Sequence, residues 1–466
     1  MNAREIVDYF RLNQVALEVV DGKIRFAAPQ GFSTPELVER LRHHKAEIVE
    51  LLDAAQQAPA GFARRPADAA PLLSYGQQRL WFLSQMDDDN AYYNVPFSIR
   101  ATGTLDISAL ASAFERVVAR HDILRTGIVV DGNVPIQVVA ERSVLDLRVD
   151  DLTGLEAGEQ DAAVQEIEQA EALTLFDLAG PSLLRVRVLT LAPDRHRILL
   201  TLHHIVSDAR SIGILVRELS FFYTARIDSS AAELPLPKVQ YGDYAYWQRH
   251  LFDAGKLEAK TAHLKRRLSG APALLTLPTD RPRPPIQRHR GAAVHFGLPV
   301  TLAARMNELG RQCQATPFMT LSALFALFLS RYSGQDDICI GTPASSRNQA
   351  ELHDTIGFFV NVVVLRISPA SQLGFRAFLR QVRDIALDAY AHQDVPFERL
   401  VEELQPQRSL SHTPLFQAML AWQDVTSKAR LTLPGLELEL AATEERAALC
   451  DLTLNVAEID GRMMAR

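Results

Sequence analysis

The stretch LLTLHHIVSDARS, residues 199–211, ends an apolar run with two adjacent histidines and places an aspartate four residues after the second. Imidazole is the side chain whose ordinary pKa lies nearest neutrality, so it can accept or donate a proton at physiological pH. A nearby carboxylate can fix a histidine's tautomer or hold the adjoining loop. His203, His204 and Asp208 are therefore the first candidates for acid–base chemistry.

The element before this stretch decides how the two histidines can be used. Residues 196–204, HRILLTLHH, are rich in Leu and Ile and predict a strand. Because successive side chains in a strand point to opposite faces, at most one histidine faces a given cavity. Two histidines that only pack at a strand end would give the same sequence. The pair alone therefore does not establish a catalytic site.

The composition is that of a globular chain. Its 466 residues are 47% hydrophobic and 23% charged, with a net charge of -7; the length predicts two or three domains, and the acidic balance argues against nucleic-acid binding. Three cysteines, far apart in the chain, predict neither a disulfide framework nor a metal site and favour the cytoplasm. The charged N-terminal segment does not resemble a signal peptide.

The most apolar segment, residues 316–334, is shorter than a membrane span. Thr316 is placed to cap a helix, Pro317 suits its first position and Gly334 its end. The segment therefore predicts a buried core helix, and we expect no membrane association.

The chain divides into four parts by its patterning. Residues 1–55 predict a small unit of helix, hairpin and helix (αββα), with the hairpin turning at Asp21-Gly22, and residues 56–71 predict an Ala/Pro-rich linker. Residues 72–250 and 251–466 alternate strands and helices in a similar order, which predicts two α/β (α+β) lobes. A cleft between two such lobes is where a ligand site is expected.

Seven segments together carry a resemblance to a known family. The HHxxxD pattern at residues 203–208 is similar to the core motif of the condensation domains of nonribosomal peptide synthetases, relatives of chloramphenicol acetyltransferase. The other segments follow in the family's order: LSYGQQRLWFL (73–83), RHDILRTGI (120–128), YGDYAYWQ (241–248), IGFFVNVVVLR (356–366), HQDVPFERLV (392–401) and RSLSHTPLFQ (408–417).

The resemblance implies a fold and a reaction. The fold is two chloramphenicol-acetyltransferase-like lobes in a V shape, with the active site in a tunnel between them. The reaction is amide formation between a donor thioester and an acceptor amine, each held on the phosphopantetheine arm of a carrier protein. The resemblance implies no bound cofactor, metal or nucleotide.

The resemblance also implies roles for individual residues. His204 matches the catalytic position, as a general base or as a group that positions the amine or stabilises the intermediate; His203 is structural. Asp208 is expected to form an ion pair with Arg347 that braces the loop. A glycine of the family is Ala209 here; alanine is harmless if a helix starts there, with Ser211 close by, and narrows the tunnel if the acceptor arm passes over it. The expected tunnel-lining residues are Tyr75, Asn361 and Gln393.

The first 55 residues resemble another family, the small N-terminal docking domains of hybrid peptide and polyketide megasynthases, with LRHHKAEIVELL (41–52) as the telling segment. This resemblance implies a hairpin that receives the C-terminal tail of an upstream synthase subunit, and a weak dimer through the same unit. Lys23 and Arg25 are candidates to meet an acidic tail, although a merely solvated strand face explains them nearly as well.

Two other functions stay open at this point. One is a stand-alone acyltransferase that uses coenzyme A on the same fold, although its DFGWG signature is absent from the sequence. The other is a degenerate scaffold that binds carrier proteins without catalysis. The resemblance further implies that the second lobe continues past residue 466, so we expect a piece of a longer synthetase with a downstream adenylation domain.

Overall fold

The fold is seen in a computed structural model. It describes residues 62–86, 90–142, 144–228, 233–369, 373–407, 409–423, 431–441, 447–459 and 461–466, and before residue 62 the positions 6, 10, 15, 17–20, 23–26, 39, 41–45 and 47–49. Most of the two predicted N-terminal helices, the Asp21-Gly22 turn and the first part of the predicted linker lie outside these ranges.

The N-terminal unit contains the predicted hairpin. Strand β1 (Leu17–Val20) pairs with β2 (Lys23–Phe26) in antiparallel register, with Val20 opposite Lys23. Five apolar side chains of this unit are buried; these are Ile6, Phe10, Val15, Leu41 and Ile48.

The rest of the chain alternates strands and helices. The strands are β3 (Asn94–Gly103), β4 (Thr126–Asp131), β5 (Val134–Val139), β6 (Asp146–Asp151), β7 (Leu184–Ala192), β8 (Arg195–His203), β9 (Phe296–Gly297), β10 (Ile338–Ser345), β11 (Val360–Ile367), β12 (Ala418–Gln423), β13 (Leu436–Leu440), β14 (Leu452–Ile459) and β15 (Arg462–Ala465). The helices are α1 (Tyr75–Met86), α2 (Ile107–Arg120), α3 (Ala157–Leu173), α4 (Ala209–Ile227), α5 (Tyr241–Asp253), α6 (Glu258–Leu268), α7 (Val300–Gln312), α8 (Pro317–Ser333), α9 (Phe375–Ala391) and α10 (Phe397–Leu404).

The first lobe is built on a five-stranded sheet with the order β13-β3-β8-β7-β6. Strands β3, β8 and β7 are antiparallel neighbours, and β6 runs parallel to β7. The edge strand β13 pairs with β3 although the partition at residue 250 places it in the second lobe. Its sequence LELEL alternates apolar and polar residues and so fits the edge of either sheet, which is why the sequence could not assign it.

The second lobe is built on a six-stranded sheet with the order β11-β10-β12-β14-β15-β9. Helix α8 lies in its core and confirms the predicted buried helix: the Thr316 hydroxyl accepts a hydrogen bond from the Met319 amide, and Gly334 ends the helix at φ +72°. No single helix among the described residues is long and apolar enough to cross a membrane. Helices α7 and α8 meet that criterion only when taken together across a bend of 104°.

The lobes are joined by a segment of the second half of the chain that packs into the first lobe. Leu352, Ile356 and Phe359 are fully buried in the apolar core that surrounds β3, β7 and β8. This segment leads directly into β11 of the second sheet. The end of β8, where the first of the two histidines lies, is therefore beside residues from both lobes.

Candidate active site

The two histidines lie at the junction of three elements. Strand β8 ends at His203, a short 3-10 turn runs over His204–Val206, and Asp208 caps the N-terminus of α4. The prediction that strand alternation separates the two rings is thus incomplete, because His204 has already left the strand. The turn, rather than the pleat, gives the rings different environments.

His203 is held inside the first lobe. Its ring is buried beside the rings of Tyr93 and Phe176, and its Nδ1 accepts a hydrogen bond from the Ile205 amide at 3.1 Å. Burial, aided by the neighbouring His204 and Arg185, lowers the pKa of His203 to about 3. The ring is therefore neutral at physiological pH.

His204 is half-buried and keeps one nitrogen free. Its Nδ1 lies 2.8 Å from the carbonyl oxygen of Ser207, and because a carbonyl can only accept, Nδ1 carries the proton of the neutral ring. Nε2 then holds the lone pair, and it has no hydrogen-bond partner among the described residues. This is the arrangement a general base needs.

Asp208 does not hydrogen-bond to either histidine. It is buried, and its oxygens lie 3.0 and 3.2 Å from Nη2 of Arg347. It also accepts hydrogen bonds from the amide of Ser211 at 2.7 Å and from the amide of Phe359 at 3.1 Å. The carboxylate thus ties α4 to the segment before β11, and the partner is the arginine that the resemblance names.

Arg347 completes this link from the second lobe. Its Nη1 donates to the carbonyl oxygens of Leu352 at 2.7 Å and Thr355 at 2.5 Å, and its guanidinium lies 3.8 Å from the ring centre of Phe359. The hydrogen bonds of this side chain go to Asp208, Ser211 and the joining segment, so the ion pair holds the lobes together at the active site.

Ser211 and Gly357 bring the two main chains close together. The Ser211 hydroxyl accepts from the Gly357 amide at 3.0 Å and from Nη2 of Arg347 at 2.8 Å. A side chain at position 357 would place its Cβ 1.9 Å from the ring of Tyr241, so only glycine fits. Sequence reasoning singled out neither Gly357 nor Tyr241, although both lie inside the quoted family segments.

Ala209 is the first residue of α4 and is exposed. It is not among the residues with positive φ, so the backbone there suits alanine. Of the two explanations for this departure from the family, a helix start fits the geometry; whether an acceptor arm passes over the methyl group stays a prediction.

The three residues predicted to line the tunnel have other contacts in the structure. The Asn361 amide donates to the carbonyls of Gln393 at 2.7 Å and Val395 at 2.8 Å and accepts from the Phe397 amide at 3.0 Å. It therefore holds the loop between α9 and α10, to which Gln393 contributes its main chain. A lining role for either residue stays a prediction.

Tyr75 begins α1 and is buried. Its ring packs edge-on against Phe252 of α5, and the guanidinium of Arg249 lies 4.7 Å from the ring centre. Burial raises the pKa of its hydroxyl. Its ring also lies 5.9 Å from the guanidinium of Arg399 in α10. Its predicted lining role stays a prediction.

A second histidine cluster lies beside the loop between α9 and α10. His263 Nε2 is 2.9 Å from Asp388 Oδ1, and His392 Nδ1 donates to the Asp388 carbonyl oxygen at 2.7 Å. The two imidazole rings are stacked with centroids 4.2 Å apart and planes within 6° of parallel. Because a bound metal lies near the plane of each imidazole, parallel rings cannot both face one ion, and the cluster fits a hydrogen-bonded clamp.

Comparison with known proteins gives the family. The family described as "Condensation domain" matches residues 68–466, which is most of the chain. The chain belongs to the condensation-domain family. Ahead of this condensation domain, the family "TubC N-terminal docking domain" matches residues 4–53. Both resemblances read from the motifs are thereby confirmed.

Among curated relatives, the chain is 41% identical over 427 residues to a subunit of the linear gramicidin synthase of Brevibacillus parabrevis. The match covers 90% of this chain and 8% of the relative. It is 38% identical to phosphinothricin tripeptide synthetase PhsC of Streptomyces viridochromogenes over 84% of this chain and 36% of the relative. The condensation domain thus spans a minor part of the length of both relatives.

Among solved structures, the X-domain from teicoplanin biosynthesis superposes with a TM-score of 0.80 at 26% identity and covers 87% of this chain and 91% of that one. The condensation domain from the polyketide synthase MokA superposes with a TM-score of 0.72 at 24% identity, over 85% and 91% of the two chains. The predicted fold class is confirmed.

Lys23 and Arg25 lie on β2 of the docking unit, opposite Val20 and Glu18. Their side chains lie outside the described part of the chain. Their predicted contact with an acidic tail rests on the sequence.

Proposed function

We propose that this condensation domain joins a carrier-bound donor to a carrier-bound acceptor through an amide bond. The acceptor amine attacks the thioester carbonyl of the donor, a carbon–nitrogen bond forms, and the carbon–sulfur bond breaks. The phosphopantetheine thiol of the donor carrier leaves with a proton, and the chain grows on the acceptor carrier. His204 takes the proton that the attacking amine loses and passes it to the leaving thiolate.

The observation that carries this proposal is the tautomer of His204. Its Nδ1 donates its proton to the Ser207 carbonyl, so the lone pair is on Nε2. No described side chain donates a hydrogen bond to that lone pair. His203 cannot substitute, because it is buried and its Nδ1 already accepts the Ile205 amide. The family match supports the substrate class, since two relatives that match this chain are peptide synthetases by name.

The partners follow from the same proposal. Donor and acceptor carrier proteins present the substrates, an adenylation domain acts downstream, and the N-terminal unit receives the tail of an upstream subunit in the cytoplasm. Lys23 and Arg25 meet the acidic residues of that tail, and the unit forms a weak dimer. The docking-domain match at residues 4–53 supports subunit docking.

The reaction is tested with the full chain and two loaded carrier proteins, with the amide product measured by mass spectrometry. We expect product from the wild type and a loss of about 10²- to 10⁴-fold with His204→Ala. His250→Ala, which removes an exposed histidine of α5, is the matched control and should leave the rate unchanged. Wild-type turnover by His204→Ala would exclude its role as base.

The same assay distinguishes the two alternative functions. Product from free acyl-coenzyme A without a carrier would support the stand-alone acyltransferase, and carrier binding without product would support the scaffold.

Docking is tested separately by titrating C-terminal peptides of neighbouring synthase subunits against the chain. Lys23→Glu with Arg25→Glu should weaken binding of an acidic tail, and the weakening should shrink as salt rises. Lys45→Glu, on the exposed side of the following helix, is the control for an added acidic charge elsewhere in the unit. Equal binding by the hairpin variant and the control variant would remove the two cations from the docking site.

A further inference from the structure

Phe358 is a second-lobe residue that touches the proposed base. Its half-buried ring meets the imidazole of His204 edge-to-face, with centroids 5.1 Å apart and planes at 77°. Among the described residues, the His204 ring makes one hydrogen bond, from Nδ1 to Ser207. A single hydrogen bond fixes one atom of the ring and lets the ring plane rock, whereas a phenyl group beside it removes that freedom.

The main chain around Phe358 is fixed on both sides. The Gly357 amide donates to Ser211, the Phe358 carbonyl accepts from the Tyr241 hydroxyl at 2.7 Å, and the Phe359 amide donates to Asp208. These three successive residues are thus bonded to α4, α5 and the Asp208 cap. The position of the Phe358 ring is set by the network that joins the lobes.

The Phe358 ring also lies against the start of α1. Gly76 follows Tyr75 there, and a Cβ at Gly76 would lie 2.9 Å from Cε1 of Phe358. Glycine is a poor helix former, so its use in a helix calls for a packing reason, and the close phenyl ring supplies one. The ring therefore lies against both Gly76 and His204, and neither contact leaves it room to move toward that neighbour.

We propose that Phe358 is the positioning residue for His204, and that Gly76 provides the space it needs. The phenyl ring holds the imidazole with Nε2 free to take the proton, and the Asp208–Arg347 network acts on catalysis through this ring. The second lobe thereby completes the base carried by the first. This inference rests on the proposed function.

The test is a double-mutant cycle on kcat, measured with the full chain and two loaded carriers. Phe358→Leu should lower kcat about threefold to tenfold and leave KM for the loaded carriers unchanged, because the proposed role of the ring is to order the base and not to bind a carrier. Gly76→Ala should lower kcat similarly in the wild-type background, although alanine favours a helix. In the Phe358→Leu background, Gly76→Ala should have no further effect, since the ring atom it displaces is gone.

Phe375→Leu, which removes a half-buried phenyl ring at the start of α9, is the control and should retain full kcat. If wild type makes amide and either Phe358→Leu keeps full kcat or the two changes multiply independently, the positioning role is wrong while the function stands. If wild type makes no amide with any carrier pair, the proposed function itself fails. If Phe358→Leu does not fold, unchanged kcat in Gly76→Ala alone still overturns the inference, and a lowered kcat supports it.

Discussion

The two lobes contribute to the active site in different ways. The first lobe supplies the groups that could do chemistry, His203, His204 and Asp208, on one strand end and one helix start. The second lobe supplies Arg347, which bonds to Asp208 of the first lobe and to the main chain of segment 352–359. The apolar side chains of that segment pack into the core of the first lobe. Under the proposed function, the base lies on one lobe and the groups that position it lie on the other, so we expect the lobes to respond differently to substitution.

The largest expected effect comes from the second lobe's Arg347. Arg347→Ala leaves Asp208 buried without its ion partner, which should lower the free energy of unfolding by about 3–5 kcal/mol, as measured by denaturant titration. Arg217→Ala removes an exposed ion pair with Asp354 that also joins α4 to the segment before β11, and should cost at most about 1 kcal/mol. Equal losses in the two variants would show that the buried pair is not what joins the lobes.

A second effect belongs to the first lobe alone. The pKa of His203 is about 3 in the folded chain and about 6.5 when exposed. Between these two pH values the ring is protonated in the unfolded chain and neutral in the folded chain. Stability should be unaffected above about pH 6.5 and should fall by about 1.4 kcal/mol per pH unit as the pH drops toward 3. His203→Asn should be less stable at neutral pH and should flatten the slope between pH 6 and 4, measured by thermal unfolding. An unchanged slope would mean that other groups cause the acid loss.

A smaller effect tests how closely the lobes approach. Gly357→Ala places a methyl group against the ring of Tyr241 and should lower the free energy of unfolding by about 1–3 kcal/mol. Gly154→Ala, at an exposed turn position where a Cβ meets nothing within 4 Å, is the control and should be near neutral. A neutral result for both would show that the joining segment can move away from α5.

The smallest effect concerns Ala209. Ala209→Gly should cost no more than about 1 kcal/mol, since the residue is exposed and begins a helix. If the acceptor arm passes over it, kcat/KM for the loaded acceptor carrier should rise while that for the donor carrier stays constant. Constant values for both carriers would place the acceptor arm away from this methyl group.

Much of the site was predictable because its residues lie in short, ordered segments. The HHxxxD stretch, the capped helix 317–333 and the pairing of Asp208 with Arg347 are all predicted from the sequence and its family resemblance. Other features were not, because they depend on contacts between distant parts of the chain. In the sequence, Phe358 looks like an ordinary strand residue, Gly76 like an ordinary glycine and β13 like part of the second lobe. Folding brings Phe358 to His204, Gly76 to Phe358 and β13 to β3.

The sequence by itself determined the family, the order of the elements and which residue types could move a proton, because these are written in local patterns of side chains. Only the tertiary structure decided which nitrogen of His204 is free, that burial lowers the pKa of His203, and that the Phe358 ring lies against His204. The physical reason is that hydrogen-bond direction and desolvation depend on where main-chain carbonyls and apolar side chains converge in space, and a chain of letters does not give those distances.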